Sequence, residues 1–340
     1  MQQFSCDTEE GLIGSLKVWK LAVAAFLVGW AILVFGFGYW PLVQEHLAIA
    51  GVMIGGSLVA GSTAMGGGSV AFPILVYVFG ETPENARNFG LVIQALGMTS
   101  ALLFILGRGT PIQKRMLIAS CAGAAFGIVF GTFFVAPYVA RSIVKLLCSC
   151  LWMSFAMITL ARNREFCSLN GAPDLSWSQA LRIGLPLGVL GGVVAAMIGV
   201  GLEMLLYTVL VLLFRCDLKV AVPTAVCATA ITSIVGAALH LAIGDIPRAV
   251  FGNWLAAAPV VIFGAPAGTF LVTRIPRIRL LYFVSALCVF QFLWTLWATP
   301  LHAAEWTFVA ATMLIANLAF VFLYQAGKRE AAKLGTLRGG

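Results

Sequence analysis

Ala196-Met197-Ile198-Gly199-Val200-Gly201-Leu202-Glu203 sits at the centre of an apolar stretch, residues 181–214, that is too long for a single membrane crossing. An earlier stretch, residues 47–80, has the same design, with Ala64-Met65-Gly66-Gly67-Gly68 at its centre. Glycine is the poorest helix former after proline, so a cluster of it in mid-run breaks the helix that its apolar neighbours would continue. Each stretch therefore reads as a broken helical hairpin.

The rest of the chain is equally apolar. Of its 340 residues 61% are hydrophobic and only 10% are charged, which places it in a bilayer rather than in water. Apolar runs predict helices near 19–40, 85–107, 115–138, 143–161, 218–243, 249–272, 278–298 and 303–324. The longest polar interruption, about Arg162 to Ser178, is a loop, so one membrane domain covers residues 1–340. The first long apolar run follows Lys17 and Lys20 and lacks a cleavage pattern, so it is expected to be a retained helix.

Charge gives the orientation. If each hairpin enters and leaves on one side, a cytoplasmic amino terminus puts all but four of the 21 Lys and Arg residues inside, leaving Arg87, Arg141, Lys145 and Arg248 outside. Both termini are then cytoplasmic in a cell inner or plasma membrane, and making either hairpin a single crossing would spoil the bias. A hairpin that crosses and returns gives the same count as a re-entrant one. The net charge of +8 is thus a matter of membrane topology, and no nucleic-acid partner is expected.

The two broken stretches have matching surroundings. Gly127, Gly131, Thr132 and Phe133 are answered at one constant offset by Gly264, Gly268, Thr269 and Phe270. Residues 47–161 and 181–298 then form two repeats, each a hairpin followed by three helices, with one extra helix at either end (19–40 and 303–324). Because the hairpins open to opposite sides, the repeats are inverted. Inverted repeats with paired broken helices characterise secondary transporters, whose sites lie where the discontinuous helices meet. A break frees backbone N–H groups that lipid cannot satisfy, and a helix amino terminus opening there suits an anion. The plainer alternative is that the glycines only let helices pack closely.

Gly66 through Leu75, with Pro73, and Ala86 at the start of the next helix resemble the sulfite exporter TauE/SafE family. Gly191 to Gly201, then Ala221-Val222-Pro223-Thr224 and His240 to Asp245-Ile246, look like that family's second copy. The resemblance covers about residues 47–298 and implies secondary transport of a sulfur oxyanion or organosulfonate, often by export. The second copy departs from the pattern by carrying Val200, Leu202 and Glu203 around its glycines and by lacking a counterpart of Pro73, which leaves the substrate open.

Glu203 is the one acidic residue placed deep in a membrane segment. A charge there is costly, which makes it a candidate for proton coupling; a shallow hairpin would instead leave it facing cytoplasmic water. The substrate-binding candidates are Gly66, Gly67, Gly68 and Ser69 at the first break, Gly199 and Gly201 at the second, and Gln94, Thr224, Thr229 and Ser233 on the helices that follow. Thr99, Ser100 and Thr232 lie on the same helices, where Thr229 and Thr232-Ser233 recur at helical spacing. Hydroxyl and amide groups can bind an oxyanion, or simply bond neighbouring helices. His240 is read as a structural hydrogen-bonding group or a gate, Arg87 as a solvated loop cation, and Cys121 and Cys227 as packing residues. There is no Walker A lysine after Gly66-Gly67-Gly68, no CxxC pair, and no nucleophile-base set among His46, His240 and His302. No metal or cofactor is expected. An anion channel, a membrane-embedded enzyme and a scaffold stand as the rival functions.

Overall fold

The computed structural model describes residues 7–66, 74–76, 78–299 and 301–338, and the side chains of 16–140 and 142–330 within that range. Gly67, Gly68 and Ser69 of the first break lie outside the described residues. The regular structure of the described residues is helical: α1 (Asp7–Ala31), α2 (Trp40–Glu45), α3 (Leu47–Ser62), α4 (Pro83–Gly107), α5 (Lys114–Phe130), α6 (Arg141–Ala161), α7 (Asn163–Ser168), α8 (Trp177–Ile198), α9 (Leu202–Leu212), α10 (Leu218–Ala242), α11 (Arg248–Arg274), α12 (Arg277–Ala298) and α13 (Ala303–Arg338). Among the described residues nine helices are long and apolar enough to cross a membrane; α3 and α9 are shorter apolar helices. The chain is a multi-pass helical membrane protein.

Local chemistry sets several of these ends. Thr82 caps α4 by accepting the Asn85 N–H, with Pro83 at the first helical position. Ser176 and Gln179 form a reciprocal capping box that starts α8 at Trp177. That cap lengthens the first arm of the second stretch to 22 residues, long and apolar enough to cross a membrane, where the hydropathy reading began it at 181. At the other end of the chain α13 runs on past the expected limit of 324 to Arg338.

The chain forms two compact units, residues 1–111 with 226–273 and residues 112–225 with 274–340; α10 begins in the second and ends in the first. In the first unit α11 lies against α3 at backbone distance. A Cβ on Gly61 would stand 1.9 Å from the Ala265 carbonyl oxygen, one on Gly264 would stand 1.8 Å from Ser57 Oγ, and one on Gly268 2.3 Å from the Leu58 oxygen. Thr269 donates to the Gly61 carbonyl across the same seam at 3.1 Å. In the second unit α5 and α8 meet likewise, with Gly123, Gly127, Gly188 and Gly192 each pressed on a carbonyl of the opposite helix. Small residues give helices in lipid the close approach that hydrophobic burial cannot drive there. The glycines of the sequence repeat, Gly127 with Gly131 and Gly264 with Gly268, thus do the same packing job, each in its own unit.

Beyond Phe130, α5 continues as a π-helical turn, Gly131–Val135. Gly131 sits there against Val193 and Ala196, at the end of α8 that precedes the break.

The second unit also carries an ion pair at the ends of two spans, between Asp217, just before Leu218–Ala242, and Arg277, the first residue of Arg277–Ala298. Asp217 caps α10 by accepting the Lys219 N–H at 3.0 Å, and Arg277 binds both its oxygens, Nε at 3.0 Å and Nη2 at 2.5 Å. Burial pushes this carboxyl up, but the Arg277 guanidinium and the capped N–H outweigh it and hold it below its ordinary value of 3.8. A depressed carboxylate stabilises the fold above its unfolded pKa and loses that contribution as pH falls through the folded one. Asp217→Ala is therefore expected to cost about 1–3 kcal/mol at neutral pH, with the gap to wild type closing below about pH 4. Melting curves of both proteins in one detergent across that pH range check it; a gap that stays constant in acid would refute the charge argument.

Candidate functional site

In the second unit α8 stops at Gly199, whose φ of 81° lies in the left-handed region that a side chain disfavours. The Gly199 N–H closes the last turn on the Ala195 oxygen at 2.8 Å. Gly201 is required by space: a Cβ there would stand 2.6 Å from the Gly191 oxygen and 2.9 Å from Val194. Gly191 in turn would meet Leu202 at 2.6 Å. Within three residues the chain thus turns back against the flank of α8 and starts α9 there.

Glu203 stands in the first turn of α9. It is 2% exposed, so the arrangement with its carboxyl in water is not the one found. Its Oε2 accepts the Gly201 N–H at 3.2 Å, and its Oε1 is buried with no hydrogen-bond partner among the described residues. Free N–H groups at a helix start favour an anion, and the residue's own carboxyl occupies that position. Gly201 also borders a cavity of about 40 Å³ lined by Cys148, Trp152, Met204 and Thr208, among others. That exceeds the roughly 10–15 Å³ that one water requires.

The hydroxyl candidates divide by role. Thr224 is buried, donates to the Val220 oxygen at 2.7 Å and accepts the Gln113 N–H at 2.9 Å, so its hydroxyl is engaged by the protein. In the first unit Thr99 donates to the Ala95 oxygen at 2.5 Å, and Thr232 to that of Ala228 at 2.9 Å. Ser100 donates to the Ile262 oxygen and accepts Trp19 Nε1, which ties α4 to α11 and α1. These three follow the structural alternative. Thr229 and Ser233 are buried one turn apart on α10. Gln94 is buried, donates from Nε2 to the Gly90 oxygen at 2.8 Å, and borders a small cavity of about 10 Å³ with Met53, Ser57 and Gly97. Gly66 has φ 69° and closes the described part of the first break. Cys121 and Cys227 are buried, as packing residues should be.

One cluster goes unread in the sequence. Arg87, expected to be solvated, is 4% exposed. It binds Asp245 Oδ2 at 3.0 Å and Asn88 Oδ1, while His240 Nδ1 meets the same Asp245 oxygen at 3.1 Å. A cation at the start of α4 is thereby fixed to the loop after α10. Only the pairing of distant residues places it there, and the one local hint is the polar end His240 to Asp245. Nearby in the same unit, His46, Asn253, Glu81 and Asn85 form a second chain of polar contacts. Among the described residues no group of three or more His, Cys, Asp or Glu gathers as a metal site.

Multiple apolar helices, a glycine-broken pair of arms and a carboxyl buried at the break define a polytopic membrane protein of the kind built around discontinuous helices. The family model described as Sulfite exporter TauE/SafE matches residues 47–294, and the chain belongs to that family. It is accordingly a membrane transporter of the sulfite-exporter type, working on a small substrate in a bilayer. The match takes in both broken stretches and leaves α1 and α13 outside it. No curated protein and no solved structure matches the chain.

Proposed function

We propose that the protein is a secondary transporter of a small sulfur oxyanion or organosulfonate, driven by an ion gradient, and that its two glycine-broken stretches each open one of two inverted repeats, 47–161 and 181–298, lying in a cell inner or plasma membrane with both termini cytoplasmic. The carrying observation is Glu203: a buried carboxyl with one oxygen on the Gly201 N–H at a helix start and the other without a hydrogen-bond partner among the described residues. A substrate anion and an ionised Glu203 compete for the same donors, so protonation of Glu203 accompanies anion occupancy. In this reading the N–H groups from Gly201 to Glu203 are the principal donors of the second unit, with Gly66, Gln94, Thr229 and Ser233 as the binding candidates of the first. Both termini and the bulk of the Lys and Arg residues face the cytoplasm by the positive-inside rule.

Uptake of labelled sulfite, thiosulfate and a sulfonate into proteoliposomes under imposed pH gradients tests this. Saturable flux that responds to the gradient is expected for at least one of the three. Absence of flux for every sulfur anion would defeat the substrate assignment, and flux that does not saturate would favour a channel.

A further inference from the structure

We propose that the far end of α9 carries a binding site for a phosphate group, built on Arg162, Arg215 and Lys328 around the ring of Tyr324. The guanidinium carbons of Arg162 and Arg215 and the Nζ of Lys328 lie 5.8, 5.7 and 5.8 Å from the centre of that one ring. Among the contacts of the described residues, three positive charges gather there with the carboxylate of Glu165. Glu165 holds Arg215 Nη2 at 2.6 Å, accepts the Tyr324 hydroxyl, and is 4.0 Å from Lys328. The cations outnumber the carboxylate that holds them, and opposite charge is what such an excess recruits.

Arg215 has one donor left over. Its side chain is 13% exposed, yet Nη1 is buried and has no hydrogen-bond partner among the described residues. It is also the one non-glycine residue among those described with a left-handed φ, 51°, a conformation that surrounding contacts must impose. Those contacts are visible. The Cys216 N–H returns to the Leu210 oxygen, and Gly327 of α13 brings its backbone against the Leu212 and Leu213 carbonyls, 2.4 and 2.5 Å from where its Cβ would be. The guanidinium is thereby held beside Phe166 and Tyr324 with one edge on Glu165.

The location fits a lipid headgroup. Arg162 directly follows the span Ser142–Ala161, Arg215 follows α9, and Lys328 is near the end of the span Ala303–Glu330, so α6, α9 and the apolar part of α13 end at this level. That is the interfacial depth at which headgroup phosphates lie, with a tyrosine as anchor. Arg162 and Lys328 are exposed and available, while Arg215 supplies the fixed donor. A phosphate can come from an anionic lipid or from free phosphate, and both would use these same donors. This site is independent of the transport reading, which rests on the opposite end of α9.

The test uses the full chain in detergent. Melting temperature and native mass spectra are recorded with phosphatidylglycerol, with phosphatidylcholine and with inorganic phosphate, for wild type, for Arg162→Gln/Lys328→Gln, and for Arg108→Gln as a remote cation control. The double variant leaves the Arg215–Glu165 pair in place and is expected to fold. Phosphatidylglycerol should protect wild type more than phosphatidylcholine does, and the double variant should lose at least about tenfold in affinity while the control keeps it. Protection by phosphatidylglycerol alone identifies a headgroup site; equal protection by inorganic phosphate identifies a free-phosphate site. No preference for either probe over phosphatidylcholine, or undiminished binding in the double variant, overturns the proposal.

Discussion

Gly188→Ala is expected to unfold this protein in detergent under conditions where wild type survives. A single methyl added there would stand 2.0 Å from the Ser120 carbonyl oxygen and 2.8 Å from its carbon, and the obstructing atoms are backbone. Rotamer changes cannot relieve such a clash, so α5 and α8 must separate by the better part of an ångström. The neighbours Gly123, Gly127 and Gly192 make equally short approaches along the same seam, so separation at one point loosens all of them. Overpacking costs typically about 1–3 kcal/mol and occasionally more, and a seam that works through close backbone contact adds the dispersion it forfeits. Gly51 and Gly55, on α3, have nothing within 4 Å of an added Cβ and serve as controls. Alanine there should be neutral or stabilising by up to about 1 kcal/mol, because glycine is a poor helix former. Thermal melts followed by size-exclusion chromatography separate the cases; a Gly188→Ala protein that melts with Gly55→Ala would show that the helices are not held by backbone contact.

This seam also shows how far the sequence can be read. The glycines at 127, 131, 264 and 268 are visible as a repeated pattern, but a pattern does not say what each glycine touches. Gly127 faces Val189 and Gly264 faces Ser57, residues far along the chain that only the folded backbone brings close. The second break is legible because a Gly-Val-Gly interruption of an otherwise uniform apolar run has few other readings, and it falls at Gly199, where α8 ends. Its first arm comes out longer than hydropathy indicates because Arg182 looks like a loop end, whereas the Ser176–Gln179 capping box, equally present in the sequence, starts the helix five residues before Arg182. The Arg87–Asp245–His240 cluster is the opposite case. Hydropathy reads each of these residues as a polar helix end, and nothing in the local spacing says that a lone arginine will be buried against a partner on another helix end. The Glu203 carboxyl lies between the two: its depth follows from the apolar run around it, but its hold on the Gly201 N–H depends on a turn tight enough to point that donor back into the first turn of α9.

Glu203→Gln should abolish coupling while leaving the anion path in place. Glutamine keeps the size of the side chain and can still accept the Gly201 N–H through its amide oxygen, so the break and the start of α9 are retained. What it cannot do is alternate between a charge that excludes the substrate and a neutral group that admits it. For one proton moved with each anion, a pH difference of one unit supports about a tenfold accumulation, since a tenfold ratio and one pH unit are the same free energy. Wild-type proteoliposomes are therefore expected to concentrate the transported anion by up to about that factor, and the glutamine variant to bring it only to equal concentrations on both sides. Exchange of labelled for unlabelled anion, which needs no net proton movement, should persist in the variant, and this separates lost coupling from a collapsed protein. Glu203→Asp, which can still titrate, is expected to recover part of the accumulation. A glutamine variant that concentrates the anion as well as wild type would remove Glu203 from the mechanism. Loss of exchange and accumulation together, in a variant that melts like wild type, would make the residue a requirement for binding or passage rather than for coupling.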